Sequence, residues 1–376
     1  TFWTLYGHLS HDSLDGQRDA AQRAAEEGLE LCTDDHAPAT RLGLQNTLAK
    51  LALEQGDVQR ARELFADNLQ RANDAGLLAE TARAHIQLGL AALQASDYGA
   101  AESHYEAGRQ LAADIGEHRY LGACLQHLGV LAERRRDYGN AIRCYQQAVS
   151  SWKKVGHRSY LAWVGLDLAK LYLDLGAVGR ATAMLGLAEK LADAEPPVAT
   201  RINRELLRGR LAQANCRYVD AAQHFRRAEE LAASVQGQRD RVSRAKLALA
   251  ALALERQDSA EAARHIAEVM ETGTSGALRV RALLLHATVE LRGRPEVARP
   301  ALVETLELAA ELEDDEASWE AHYHLAMLAR REGREAECRR RLLDAAQIEA
   351  RVREGVPKDL REAVAEQPLR VALRAA

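Results

Sequence analysis

The chain has 376 residues, with 50 basic against 55 acidic side chains and a formal net charge of −5. This near balance argues against a general nucleic-acid binder, which would carry a basic surplus. Apolar residues make up 47% of the chain but aromatic residues only 5%, and there are just 7 prolines. Ala and Leu must therefore fill most of the core, which predicts an all-α protein.

Neither a membrane span nor a secretory signal is visible in the sequence. No stretch approaches the roughly 18 consecutive apolar residues that a spanning helix needs, and no signal-peptide pattern opens the chain. The five cysteines show no CxxC and no paired metal spacing. We therefore expect buried free thiols in a cytoplasmic protein.

The first residues are unusually apolar. Thr1 is followed at once by Phe2 and Trp3, and then by Tyr6. Such an opening is typical of the middle of a helical array, so we expect the chain to be part of something longer. A trimmed version of a stand-alone protein is the alternative.

A short pattern recurs along the chain about every 40 residues. Its anchor position, a small residue in most copies, is occupied by Leu9, Ala49, Gly89, Gly129, Ala169, Gly209, Ala250, His286 and Ala326. Twelve positions after each anchor stands a small residue, namely Ala21, Ala61, Ala101, Ala141, Ala181, Ala221, Ala262, Ala298 and Cys338. Sixteen positions after each anchor stand Ala25, Phe65, Tyr105, Tyr145, Leu185, Phe225, Ile266, Leu302 and Leu342, all bulky except the first.

Fixed-period repeats of this length indicate a solenoid of helical hairpins. Two small residues on facing helices would let the backbones approach closely, and the bulky residue would fill the space between successive hairpins. Acidic residues eight positions after the anchor can cap the second helix of each unit, and they are Asp57, Asp97, Asp137 and Asp258. Gly76, Gly116 and Gly156 stand where that helix would end in a left-handed residue. Each unit is thus predicted to contain a first helix of ~15 residues and a second of ~18.

Two places interrupt the pattern. Glu195-Pro196-Pro197 predicts either a longer loop or a hinge near residues 194–198. After Gly355-Val356-Pro357 a short helix is expected from about Lys358 to Glu366, followed by Pro368 and a tail. We therefore divide the chain into a repeat array, residues 1–352, and a C-terminal capping helix and tail, residues 353–376.

The repeat resembles the tetratricopeptide repeat from about residue 1 to 352. The resemblance is clearest in the unit with Leu88-Gly89, Asp97-Tyr98, Ala101 and Tyr105, which fall at that family's spacing. The period exceeds the usual ~34 residues and is similar to the longer variant in bacterial maltose-activator-type regulators and animal spindle-orientation adaptors. High Ala, Leu and Arg usage favours the bacterial group. The resemblance implies a right-handed α-solenoid of about nine hairpins.

Catalytic signatures are missing from the sequence. It contains no GxxxxGK[ST], no GxSxG, no HExxH and no kinase motif set. We therefore predict that the chain is not an enzyme and that it holds neither a cofactor nor a metal.

The resemblance implies that the first helices line a concave groove, with ligand contacts on three inner lines, six and three before the anchor and one after it, and at outer positions four and five after it. The candidate groove residues are Asn46, Lys50, Arg83, Ile86, Leu90, Gln126, Val130, Trp163, Leu166, Lys170, Asn203, Leu206, Arg210 and Arg244. From Asn46 onwards these lines hold five basic residues and no acid, with acids such as Asp174 and Glu255 only at outer positions. This bias predicts an acidic or carboxylate-bearing peptide as ligand. An ordinary solvated face with accidental charge sorting is the alternative.

Three functional readings follow. The first is a protein-binding scaffold, the sensory or docking region of a larger bacterial signalling or transcription regulator, with no direct contact to nucleic acid or membrane. The second is a small-molecule sensor, in which Trp163, Tyr160 and Lys170 form an aromatic and basic pocket. The third is a repeat region attached to a kinase or ATPase domain outside this chain.

Overall fold

A computed structural model describes residues 15–32, 38–95, 97–192, 195–235, 238–274, 276–291 and 293–376. Helices account for 85% of the chain, and no strand occurs in these ranges. The prediction of an all-α array of helical hairpins is therefore confirmed. The anchor at Leu9 and residue Ala194 of the predicted hinge lie outside the described residues.

Nineteen α-helices follow one another among the described residues, and those of the repeats are 13 to 20 residues long, most often 17. They are α1 (Asp15–Leu31), α2 (Pro38–Glu54), α3 (Val58–Asp74), α4 (Leu78–Gln94), α5 (Tyr98–Asp114), α6 (His118–Arg134), α7 (Tyr138–Val155), α8 (Arg158–Asp174), α9 (Val178–Leu191), α10 (Val198–Ala214), α11 (Tyr218–Ala233), α12 (Arg239–Glu255), α13 (Ser259–Glu271), α14 (Ala277–Glu290), α15 (Pro295–Glu311), α16 (Asp315–Arg331), α17 (Glu335–Glu354), α18 (Arg361–Ala365) and α19 (Pro368–Ala375).

The helix ends follow the predicted turn chemistry. The carboxylates of Asp57, Asp97 and Asp258 each accept a hydrogen bond from the backbone N–H three residues later, at 3.1, 3.0 and 2.9 Å. Asp314 caps α16 in the same way, which the sequence reading missed. Gly116 closes α5 with φ +70°, a conformation that a residue with a Cβ rarely adopts.

The anchor and the residue sixteen positions later touch each other within one hairpin. A Cβ added to Gly89 would lie 2.5 Å from Tyr105 Cε1, and one added to Gly129 would lie 2.6 Å from Tyr145 Cε1. Both tyrosines are at most 1% exposed. The bulky residue therefore sits over its own anchor, where glycine is required because an aromatic ring occupies the space of its side chain. It also packs against the next hairpin, as predicted, since the Tyr105 ring stacks on that of His127 at 4.9 Å.

We expect Gly129→Ala to destabilise the protein by about 2 kcal/mol, because the buried Tyr145 ring cannot move away without losing its contacts. Gly186 lies within α9 with nothing near its would-be Cβ, so Gly186→Ala should stabilise by roughly 0.5–1 kcal/mol. Urea unfolding followed by circular dichroism measures both. Equal midpoints for the two variants would contradict this packing.

In some hairpins, a polar side chain four positions before the anchor contacts a polar side chain fifteen positions after it, and the pair links the two helices. The Nδ1 atoms of His85 and His104 are 3.2 Å apart, and Nδ1 of His224 lies 2.7 Å from Glu205 Oε2. Burial lowers the pKa of both His85 and His104, aided by the charge of His104 on the first and of Arg62 on the second. The His85–His104 pair is therefore adapted to the neutral form.

Acid should unfold the protein partly through this pair. Because the folded-state pKa values are lowered, their stabilising contribution is present above the unfolded value of about 6.5 and is lost as the pH falls below it. We expect His104→Gln to weaken the fall of unfolding free energy between pH 7 and pH 5. His224→Gln is the matched control, because His224 holds the same position in its hairpin but faces Glu205 instead of a second histidine, and this variant should leave the fall unchanged. The opposite ranking in denaturation at several pH values would exclude this role.

The described residues form two compact units. Unit 1 comprises those of Thr1–Arg134, Asn140–Val164 and Leu191–Pro197, and unit 2 comprises Arg135–Gly139, Gly165–Lys190 and the described part of Val198–Ala376. In unit 1, Phe65 and Tyr105 are centres of separate apolar clusters. In unit 2, Phe225 and Leu302 each belong to a separate apolar cluster of the same kind.

The C-terminal residues differ from the prediction in one respect. A 3-10 turn, Lys358–Leu360, and α18 stand where the short capping helix is expected, but the tail after Pro368 also forms a helix, α19. Leu373 of α19 packs with Trp319 and Ala345. Pro368 begins the helix because a proline at the first helical position loses no hydrogen bond.

The cysteines are only partly as expected. Cys124, Cys144 and Cys338 are buried free thiols, but Cys216 is exposed. It stands in the turn before α11 with φ +58°, not inside a helix. Cys216 is exposed because it lies in this turn and not on the buried face of a helix.

Candidate functional site

The candidate site is a pocket within unit 2, with a volume of about 1030 Å³. Its walls come largely from the first helices of consecutive repeats, α8, α10, α12 and α14, and Gln367 and Pro368 also line it. First helices meet here because the second helices pack behind them through the anchor contacts. The pocket is thus a direct consequence of the repeat.

One face of α12 forms the floor of the pocket. Arg244, Leu247, Ala248, Ala251 and Glu255 all line it, and their spacing of three or four residues places them in one row. At 1.5 Å per residue the row is about 16 Å long. A cation therefore lies at one end of an apolar strip and a carboxylate at the other, where Gln213 Nε2 donates to Glu255 Oε1 at 2.6 Å.

Asp174 at the pocket wall neutralises two of the predicted basic residues. Its carboxylate oxygens lie 3.2 Å from Lys170 Nζ and 2.6 Å from Arg210 Nη2. Although burial opposes ionisation, these two cations hold the pKa of Asp174 well below its usual range. The predicted basic stripe thus loses part of its positive charge here, because Asp174, an acid of its outer edge, pairs with two of its cations.

Arg244 is the basic residue of the pocket that stays unpaired. Its side chain is exposed and makes no hydrogen bond or ion pair with any described residue. Arg281, on the opposite side of α12, lies 3.5 Å from Glu320. An incoming anion would therefore meet Arg244 without first displacing a protein carboxylate.

The other predicted site residues of unit 2 lie outside this pocket. Leu166 is buried at 8% exposure, and Leu206 packs against the cluster around Ile202. Asn203 is exposed on α10. Of the predicted set, the structure thus brings Arg210 and Arg244 together in one pocket, with Lys170 attached through Asp174.

In unit 1 the predicted cations are paired or partly neutral. Arg83 forms an ion pair with Glu80 one helical turn earlier. Burial and the charge of Arg83 lower the pKa of Lys50 to about 8, against the attraction of Glu54. Lys50 therefore loses much of its charge in mildly alkaline solution.

The uncharged candidates of unit 1 belong mostly to the packing. Asn46 and Ile86, three positions before their anchors, are only 6% and 5% exposed. Leu90 packs against the cluster around Tyr105, while Gln126 and Val130 are half-buried. The side chains three positions before the anchor are therefore buried in the core in these two repeats.

Trp163 belongs to an aromatic stack. Its ring meets that of Tyr160 edge-on at 4.7 Å, and the ring of Tyr160 also stacks on that of Trp152 at 4.2 Å. Trp152 is 1% exposed and lies against Gly122. Tyr160 therefore uses its ring for packing, which disfavours the aromatic pocket expected around Trp163.

In the part of the chain that the structure describes, no group of three or more His, Cys, Asp or Glu residues is placed to hold a metal ion. No helix within those same residues is long and apolar enough to cross a membrane.

The lining residues that were not predicted include Gln213, Arg281, Gln367 and Pro368. Gln213 stands four positions after its anchor, where the family rule also expects contacts, so that signal was present. Gln367 and Pro368 follow the last repeat and carry no repeat signal. Only the fold brings them to the pocket.

No protein-family model matches the chain, and no curated protein matches its sequence. Solved structures do match. A Rap protein complexed with Competence and Sporulation Factor is similar with a TM-score of 0.64 and 11% identity, covering 94% of this chain and 98% of that one. NprR in complex with its cognate peptide NprX has a TM-score of 0.60 and 11% identity, covering 88% and 98%.

The apo form of the quorum sensor NprR from B. thuringiensis matches with a TM-score of 0.58 and 12% identity, covering 81% of this chain and 86% of that one. At such identities the likeness shows the fold alone. It supports a repeat of the tetratricopeptide type. Membership of the 40-residue variant stays a prediction.

Proposed function

We propose that the chain is a non-catalytic scaffold whose unit 2 pocket binds an extended peptide segment carrying a carboxylate. The unpaired Arg244 at one end of an apolar strip is the observation that carries this proposal. An extended chain advances about 3.3 Å per residue, so the strip of about 16 Å accommodates roughly five residues. Apolar side chains of the bound peptide would pack against Leu247, Ala248 and Ala251.

The charges of the pocket favour one acidic group rather than a strongly acidic segment. Arg210 already faces Asp174, and Glu255 lies at the far end of the strip. A ligand with many acids would meet these carboxylates, whereas one carboxylate can pair with Arg244. Such a pair in a partly desolvated pocket is stronger than on an open surface but is still weakened by salt.

The similar structures support peptide binding as the class of function. Two of them were solved as complexes, one with Competence and Sporulation Factor and one with the cognate peptide NprX. By this analogy of fold, we propose that the chain serves as the sensory or docking region of a bacterial cytoplasmic regulator. Its partner would be a protein or peptide.

The proposal can be tested by titrating a library of labelled peptides, each with a single acidic residue, against a library with Lys at that position. Fluorescence anisotropy should show tighter binding of the acidic set, and an increase in salt should weaken it. Arg244→Glu should reduce affinity at least tenfold, because it places a carboxylate opposite the ligand's own. Asp174→Asn should tighten binding, since it releases positive charge on Lys170 and Arg210.

The matched control is Arg339→Glu with Arg340→Glu, which reverses two exposed charges on α17 away from the pocket residues. This double variant should bind like the wild type. Equal affinity in all variants, or selection of the Lys peptides, would overturn the role of Arg244.

A small-molecule ligand is the second candidate, favoured by the pocket volume of about 1030 Å³, which is at the upper end for such sites. Thermal-shift screening of small carboxylic acids tests it. Stabilisation that Arg244→Glu removes, together with no binding of any peptide, would decide for the small molecule.

A further inference from the structure

The residues after the last repeat touch a part of unit 2 that is far away in the sequence. Gln367 Nε2 donates a hydrogen bond of 2.8 Å to the backbone oxygen of Asp174, 193 positions earlier. Asp359 pairs with Arg180 at 2.7 Å. In an open solenoid each repeat contacts only its neighbours. These contacts are therefore additional to the repeat architecture.

Two glycines allow the backbones to meet at this contact. A Cβ on Gly176 would lie 2.8 Å from the backbone oxygen of Ala363. Gly139 N donates to Gly355 O at 3.2 Å, and a Cβ on Gly355 would collide with the backbone oxygen of Arg136. Backbone atoms cannot yield as a flexible side chain can, so both contacts depend on the missing side chain.

The other end of the segment is fixed by a buried cation. The Arg370 side chain is 3% exposed, donates to Glu349 at 2.7 Å and also pairs with Glu316. Its guanidinium lies 5.0 Å from the centre of the Trp319 ring. Breaking such a network leaves uncompensated buried charges, so α19 is firmly attached to α16 and α17.

We infer that Gly355–Ala376 is a clasp that joins the first and last helices of unit 2 and thereby sets the width of the pocket. Arg370 attaches the segment to α16 and α17, whereas Ala363 and Gln367 attach it to Gly176 and Asp174. Gln367 and its neighbour Pro368 also line the pocket. The residues of the clasp are positioning residues, and its effect on a ligand rests on the proposed function.

The clasp is tested by a distance measurement that needs no ligand. Spin labels at Thr182→Cys in α9 and Arg340→Cys in α17, both exposed positions, report the span by double electron–electron resonance. Cys32→Ser and Cys216→Ser remove the accessible native thiols. We expect one narrow distance distribution in this parent protein.

Gly355→Ala should lengthen or broaden that distribution. Gly355 has φ −69°, which alanine adopts without strain, so the variant acts through the collision with Arg136 alone. Gly186→Ala, in open space, is the control and should leave the distribution unchanged. If Gly355→Ala does not fold, as judged by circular dichroism, Gln367→Ala combined with Asp359→Ala carries the test, since these side chains are at the surface of the contact.

An unchanged distribution in the folded clasp variant would overturn the inference. In a second arm, the peptide that binds best in the titration above should bind the clasp variant at least fivefold more weakly and dissociate faster. A widened distribution with unchanged affinity would separate the clasp from the pocket and overturn its positioning role. If no peptide binds the wild type, the proposed function fails, whereas the distance measurement still decides whether the clasp exists.

Discussion

The contact between the anchors Gly89, Gly129 and Gly209 and the aromatic ring sixteen positions later holds the two helices of those hairpins together. Where the anchor is Ala169 or Ala250, the later residue is Leu or Ile, although Ala49 is followed by Phe65. At the glycine anchors, the ring on one helix fills the volume that the missing side chain leaves on the other. Because this contact fixes which side of the first helix is buried, it also fixes which side remains to line a pocket.

The sequence predicts most of the fold because that compensation repeats at one period. Helix ends at Asp57 and Gly116 are predictable from local chemistry alone, since capping and left-handed closure need no tertiary information. That the Tyr145 ring also covers its own anchor, Gly129, was not predictable. Spacing alone indicates a bulky residue between hairpins, and only coordinates show that it fills the gap within its own hairpin as well.

The candidate site is predicted less completely, for an electrostatic reason. Position in the repeat indicates that Arg210 and Arg244 face the same way, and both do line the pocket. It does not indicate which cation is already neutralised, because pairing depends on long flexible side chains. Asp174, at an outer position of the predicted groove, pairs with Lys170 and Arg210, whereas Arg244 forms no ion pair with a described residue. Gln367 reaches the pocket because the segment after the last repeat contacts Asp174, and no repeat pattern predicts that contact.

The hydrogen bond between Gln367 and Asp174 also bears on how unit 2 comes apart. A linear repeat array loses structure from its ends, because a terminal hairpin has a neighbour on one side only. In unit 2 the terminal segment is attached to an early helix, so peeling it away breaks two interfaces instead of one. Fraying from the C-terminal end is thereby suppressed, and unfolding of this unit becomes more nearly all-or-none than that of an open array with the same hairpins.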